Sequence, residues 1–573
     1  MHYAEIIEGY ADRVPDAVAL VHGDTRRTWA QFEERAARLA AAFTAAGLRP
    51  GCKVGLLLYN GPAYYEGFLA ALKARMVPIN VNYRYVDDEL VYLLEDSDAE
   101  ALIFHASLGE TVDRVVDRVP DLKLLVEVED ASPAVARAKR YEQLLSGTAP
   151  APRICRSRDD ELVMYTGGTT GMPKGVVFDV SDWTAGVLGL VPFVLGVPPL
   201  PTAVDELIAD GDARIALGEE PVVMPCSPLM HTAGLGNSIA MQLAGGRAVT
   251  LPGRSLDPEE IWGTVERESV TVMIIVGDAF ARPLLDALEQ QPSRWDLSSL
   301  RVILSSGVMW SSPVKQGLLR HVDATLIDGI GATEGAIGLQ VTRRDMPAGQ
   351  TGQFIPLAQT KLFAEDGREI APGSEEPGLI AAGGTLIPKC YHKDPEKSAR
   401  TFREIGGKRY AFGGDWGKLA ADGTLVLLGR GSSCINSAGE KVYTEEVEEA
   451  IKTHPAVADA LVIGIPDERF GQRVTALIAT RTADDEVGAD LDEYLKERLA
   501  GYKRPPRHRA RRRGATRAQR QARLQVGTKS RAGQSGGSGV AALSMARGRI
   551  TSASLSVTSS FARRRGARNR FGR

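Results

Sequence analysis

The stretch "WAQFEERAARLAAAFTAAGL" (residues 29–48) sets apolar side chains at helical spacing with an alanine-rich face, and "KVGLLL" shortly after it has the length of a buried strand. The alternation repeats: "AYYEGFLAALKARM" has a helical pattern, whereas "ALIFH" and "KLLVEV" are short strand-like runs. Helix and strand taking turns predict α/β layers built on largely parallel sheets. "VTVMIIVG" and "RVILSSG" continue that scheme as strands running into loops. From about residue 355 the apolar runs shorten and glycine turns multiply, as in "GLIAAGG" and "GKLAADGTLVLLG", which predicts a meander or β-barrel-like unit. "TEEVEEAIKTHPAVADALVIGIPDERFGQRVTALIAT" then spells helix, strand, turn, strand, a small α+β unit. No repeat of 20 to 50 residues is present.

Composition changes this picture at one place. The chain has 573 residues, 44% of them hydrophobic, enough for more than one cored domain. No window approaches the roughly 18 apolar residues of a membrane span, so a cytoplasmic protein is expected. Five cysteines without CxxC spacing suggest neither a zinc site nor a disulfide framework. The net charge of -3 hides a split, because residues 505–573 hold 18 Lys and Arg and no Asp or Glu. The first 504 residues therefore carry 51 basic and 72 acidic side chains, an acidic body that argues against a specific nucleic-acid partner. The tail alone has the charge to attract polyanions without sequence preference.

The densest chemistry lies in "MYTGGTTGMPKGVV", residues 164–177. Gly167, Gly168, Gly171 and Gly175 allow tight turning and close approach of backbone N–H groups to an anion. Thr166, Thr169 and Thr170 add hydroxyls, and Lys174 adds positive charge, together a phosphate cradle. The GxxxxGK[ST] order of a Walker A loop is absent. This stretch resembles the signature loop of the adenylate-forming superfamily, which comprises acyl-CoA synthetases, firefly-type luciferases and peptide-synthetase adenylation domains. Further motifs follow in the family's order over about residues 5–504.

The resemblance implies an adenylation domain over 1–429, a small mobile domain over 430–504, and ATP, Mg²⁺ and coenzyme A as reactants and cofactors. In "IDGIGATEG" it implies nucleotide contacts at Asp328 and Thr333 and a magnesium-positioning carboxylate at Glu334, which the reading sets in a loop. "SSGVMW" resembles the segment beside adenine, where Gly307 leaves room for the base; read alone it is a turn at a strand end. Asp415 corresponds to the ribose-binding aspartate and Arg430 to a second ribose or phosphate contact. Gly439, Glu440 and Lys441 correspond to a loop near the coenzyme A channel; read alone they are a surface loop. His231, in "MPCSPLMHTAG", falls where the family places a side chain beside the substrate carboxylate, although a core histidine satisfies the same pattern. "VGDAFARP", with Gly277 and Asp278, resembles the acyl-pocket wall of actinobacterial-type synthetases for fatty acids and steroid side-chain acids. Homo-oligomerisation is left open.

Two departures stand out. Ser433 occupies the hinge position where the family often has Asp or Lys; hinges need permissive backbone more than a given side chain. "LAGYKRP" matches the approach to the family's terminal lysine loop, P-x-G-K, which does not follow; neither Lys503 nor Lys529 has its context. A reading-frame shift near 504–506 would explain both this loss and the change in charge. Codons that encode Gln519–Gln525 can also read N-G-K-R-D-Y-K in a neighbouring frame. Residues 505–573 lack the apolar periodicity that offsets ordering entropy, so disorder is expected there, with an incomplete small domain and impaired adenylation. Two alternatives stay beside the ligase: a noncatalytic nucleotide- or acyl-binding protein, and an acyl-AMP ligase serving a carrier protein.

Overall fold

Helix Trp29–Ala45 starts where the sequence supplies a cap: the Thr28 hydroxyl accepts from the Gln31 N–H at 3.3 Å, and the Gln31 amide oxygen accepts from the Thr28 N–H. The alanine-rich face allows close approach to helix Pro62–Lys73, whose proline occupies the first turn where no N–H is needed. In the computed structural model of the chain, residues 1–168, 171–308, 310–346, 349, 351–430, 434–437, 440–467, 471–480, 487–496, 498–499, 501–505 and 508–511 are described.

Two large sheets organise the body. One is eight-stranded, with a parallel centre of Val77–Asn80, Lys53–Leu57, Ala99–His105 and Leu124–Val128. Its far side carries the antiparallel pair Glu161–Gly168 and Gly171–Asp179, and then Cys390–Tyr391. The other is 14-stranded and changes character along its length. Val18–His22, Arg247–Thr250, Val222–Pro225, Val272–Ile275, Val302–Ser306 and Thr325–Ala332 run parallel. From Gly335–Thr342 onward every neighbour is antiparallel. Ile337, Phe354, Leu362, Ile380 and Leu425 on five of those strands share one apolar cluster, as the inner face of a curled, barrel-like sheet must.

The helices and strands read from hydrophobic spacing are present: Lys53–Leu57, Pro62–Lys73, Ala99–His105, Leu124–Val128, Val272–Ile275 and Val302–Ser306. The small unit forms as helix Thr444–Lys452 and the antiparallel strands Val457–Asp467 and Gly471–Thr480. One finding differs from the expectation of a tail without structure beyond 504. Residues His508–Arg511 form a strand, parallel to Ala476–Ala479. Residues 512–573 lie outside the described residues.

Candidate active site

Between the two sheets lies a cavity of about 1180 Å³. Thr166 and Lys174 sit opposite each other on the paired strands Glu161–Gly168 and Gly171–Asp179, and both line it. The backbone of Gly167, Gly168 and Gly171 ends these two strands, with Gly168 paired to Gly171. Thr169 and Thr170, between them, lie outside the described residues.

Thr333 and Glu334 are not in a loose loop. They form the two-residue turn of a hairpin between Thr325–Ala332 and Gly335–Thr342, with Ala332 paired to Gly335. Glycine is required before the turn: a Cβ on Gly331 would lie 2.8 Å from the Gly335 carbonyl oxygen. The hairpin projects Glu334 across to the other sheet, where Lys174 Nζ donates to its Oε1 at 2.8 Å. Tyr391 completes the cluster. Its hydroxyl donates to the same Glu334 Oε1 at 2.6 Å and accepts from Lys174 Nζ at 2.8 Å, while the ammonium sits 4.0 Å from the ring centre. Burial pushes the Glu334 pKa up, but the Lys174 charge and the hydrogen bonds from Lys174 and Tyr391 more than reverse that, leaving it below the ordinary carboxylate value. Sequence reading missed Tyr391, which pairs through its backbone with Val176 on the lysine's own strand.

The opposite wall is made of strand ends. Gly307, at φ 89°, follows strand Val302–Ser306, and only Val276 Cγ1 comes within 4 Å of a Cβ placed there. Backbone conformation and open space both suit a flat ring lying against this glycine. Ile327 and Gly329 line the cavity, and Asp328 between them does not. Its carboxylate accepts from buried Lys315 Nζ at 2.7 Å, an ion pair away from the residues that line the cavity. Burial raises its pKa to about 6 despite that cation. Asp278 likewise accepts from the Ser311 N–H and hydroxyl, at 2.9 and 2.7 Å, and it is Val276 that lines the cavity. Gly277 donates its N–H to the buried Ser305 hydroxyl oxygen at 2.8 Å.

His231 caps helix Thr232–Leu243 and lines the cavity. Its loop is held by two asparagines. Asn60 donates to the Pro225 and Ser227 carbonyls, each at 3.0 Å, and Asn80 donates to the Met230 carbonyl at 2.6 Å. The cavity walls desolvate the ring and Arg84 adds positive charge, so its pKa is lowered and the neutral form is favoured. Gly413 and Gly414 also line the cavity, immediately before Asp415, which is buried and paired in register with Arg430. Glu440 and Lys441 lie in strand Glu440–Tyr443, opposite Ser437 and Asn436. Ser433 and Gly439 lie outside the described residues.

Beyond the polar end the wall becomes apolar, through Trp183, Val187, Leu190 and Leu386. Among the described residues no group of three His, Cys, Asp or Glu gathers as a metal site. A cation at Glu334 would therefore draw further oxygens from a bound phosphate, the usual habit of Mg²⁺.

The AMP-binding enzyme family matches residues 7–392, and the family of AMP-binding enzyme C-terminal domains matches 446–512, which extends past Glu497, the last acidic side chain of the sequence. The chain is 38% identical over 520 residues to a 3-oxocholest-4-en-26-oate–CoA ligase of Rhodococcus rhodochrous, covering 88% of this chain and 91% of that one. It is 39% identical over 523 residues to a medium-chain acyl-CoA ligase of Mycobacterium avium, covering 87% and 92%. Its fold is that of an anthranilate CoA ligase solved with anthranoyl-AMP, at a TM-score of 0.78 and 23% identity over 93% of this chain and 98% of that one. No helix among the described residues is long and apolar enough to cross a membrane. With both parts matched in order, the chain belongs to the AMP-binding enzyme family, in the adenylate-forming superfamily.

Proposed function

We propose that the chain is, by descent, an AMP-forming acyl-CoA ligase acting in the cytoplasm on a fatty acid or a steroid side-chain acid, the substrates named for its relatives. Acyl-CoA ligases of this family use ATP and coenzyme A. The observation that carries the reading is a single cavity whose apolar end, at Trp183 and Val187, runs into a glycine-lined end holding Lys174 and Glu334. In the first step a carboxylate oxygen bonds to the α-phosphorus of ATP and the bond to pyrophosphate breaks. In the second, the thiol sulfur of coenzyme A bonds to the acyl carbon, its proton is lost to solvent, and AMP leaves.

The protein's share of such chemistry is positioning and neutralisation of charge. Lys174 and the N–H groups of the 164–177 stretch face phosphate oxygens, Thr333 contacts the nucleotide, and Gly307 leaves room for adenine. Asp415 and Arg430 hold the ribose side, and Gly439, Glu440 and Lys441 approach coenzyme A. Neutral His231 lies beside the carboxylate without adding a charge that would quench its attack. Mg²⁺ held by Glu334 and the phosphates would supply further positive charge; the carboxylate fits this role because Lys174 and Tyr391 keep it ionised.

We also propose that adenylation by this polypeptide is strongly slowed, because no P-x-G-K follows "LAGYKRP". A second reading, binding of nucleotide and acyl group without turnover, draws on the same break. Calorimetric titration with Mg²⁺–ATP, with AMP and with an acyl-adenylate mimic tests the site. One shared site, with the mimic tightest, is expected, whereas independent sites for nucleotide and acyl group would contradict the reading.

A further inference from the structure

The apolar end of the cavity stops at a short helix, Val191–Leu195. Pro192 sits in its first turn and Gly196, left-handed at φ 67°, closes it, so the element is held to about one turn and a half by its own sequence. Phe193 and Val194 line the cavity on one side and, on the other, a second hollow of about 680 Å³. That hollow also reaches Val302 and the charged side chains of Arg301, Asp323, Arg343, Arg344 and Asp345, so it offers distal carbons little apolar surface beyond the wall itself. Strand Val302–Ser306 passes from one space to the other, with Val302 in the hollow and Leu304 in the cavity. A wall one side chain thick thus separates them. Val194 is 7% exposed and Phe193 is 52% exposed, so the phenyl ring is the part of the wall least held by packing.

A second constriction lies nearer the nucleotide. Gly186, on helix Val180–Leu188, faces Leu386, and a Cβ at 186 would lie 2.4 Å from Leu386 Cδ2. A side chain at 186 must displace that leucine, and both residues line the cavity.

Resting on the acyl-ligase reading above, we propose that Phe193 sets the upper limit of acyl size in this enzyme. Acyl groups that end before the wall are enclosed, and longer ones fit only when the ring yields and their distal carbons enter the second hollow. Up to the wall, each buried methylene should tighten binding about fourfold, and beyond it the gain should stop.

The test uses the full chain and stable acyl-adenylate mimics, the 5′-O-(N-acylsulfamoyl)adenosines with octanoyl, palmitoyl and docosanoyl groups, titrated calorimetrically beside AMP. In Phe193→Ala the docosanoyl mimic should gain about tenfold or more in affinity relative to the octanoyl one. Gly186→Leu should do the reverse and penalise the longer mimics. AMP titration of each variant reports whether the nucleotide end is intact. An unchanged length profile in Phe193→Ala, with AMP binding intact, overturns the wall and leaves the ligase reading standing. If no mimic binds the unmodified chain more tightly than AMP, both readings fall.

Discussion

Replacing Tyr391 by Phe removes one oxygen and little else. That oxygen gives a 2.6 Å hydrogen bond to Glu334 and takes a 2.8 Å one from Lys174, in a cluster that bridges the two sheets. Hydrogen bonds to charged partners contribute about 1.5–3 kcal/mol each. Because both bonds share one oxygen and Lys174 still reaches Glu334 at 2.8 Å, the loss should be that of one such bond. Mg²⁺–ATP affinity should then fall about 10- to 150-fold, since about 1.4 kcal/mol is tenfold. The ring remains under the ammonium, so Tyr391→Leu should cost about 0.5–2 kcal/mol more. With one donor fewer, the Glu334 pKa rises, and the affinity of Tyr391→Phe should fail at a higher pH on acidification than that of the parent. Calorimetric titration of Mg²⁺–ATP across pH reads both effects. Unaltered affinity together with an unaltered acid limb would refute the claim that Tyr391 tunes this carboxylate.

Other outcomes follow from packing. Lys315→Met strands the Asp328 carboxylate in the core and should cost about 3–5 kcal/mol in denaturant unfolding; a loss below about 1 kcal/mol would mean that the pair is solvated. Asp328 itself, at about 6 in the folded chain against 3.8 for an ordinary aspartate, favours folding in its protonated form. Its contribution is full below the unfolded value and is lost as pH rises through about 6. Relative to Asp328→Asn the parent should therefore lose up to about 1.4 kcal/mol per pH unit across that window, and a flat difference would contradict the assignment. Gly331→Ala places a methyl against the Gly335 carbonyl and should lower the unfolding free energy measured in urea by about 1–3 kcal/mol while weakening Mg²⁺–ATP binding. Parent-like values of both would mean that the hairpin yields without cost.

Helices and buried strands were legible because their signals are local, as in the capped alanine-rich face at 29–45. Glycine content at 327–338 signalled turning but not pairing, and the hairpin was read as a loop because its register depends on the partner strand. Asp328 was not legible as a buried ion-pair partner, because Lys315 lies on a separate helix, Ser312–His321, and only the packing of that helix on the strand brings the two together. Tyr391 carried no local signal, since 217 residues separate it from Lys174 and only the strand pairing at Val176 brings the two together. His508–Arg511 likewise takes its structure from a strand some thirty residues earlier, so its own lack of apolar periodicity pointed to disorder.

The central claim is a ligase site joined to an ending that does not supply the family's lysine loop. Its most direct test is pyrophosphate release from Mg²⁺–ATP with palmitate or 3-oxocholest-4-en-26-oate, with and without coenzyme A. The assay compares this chain with one whose residues after 511 are exchanged for an ending that carries the P-x-G-K loop. The account predicts acid-dependent pyrophosphate and acyl-CoA from the exchanged chain, and release slower by at least about 100-fold from the present one, the scale on which a preorganised charge-stabilising group acts. Equal rates in the two chains, or none in either, would contradict it.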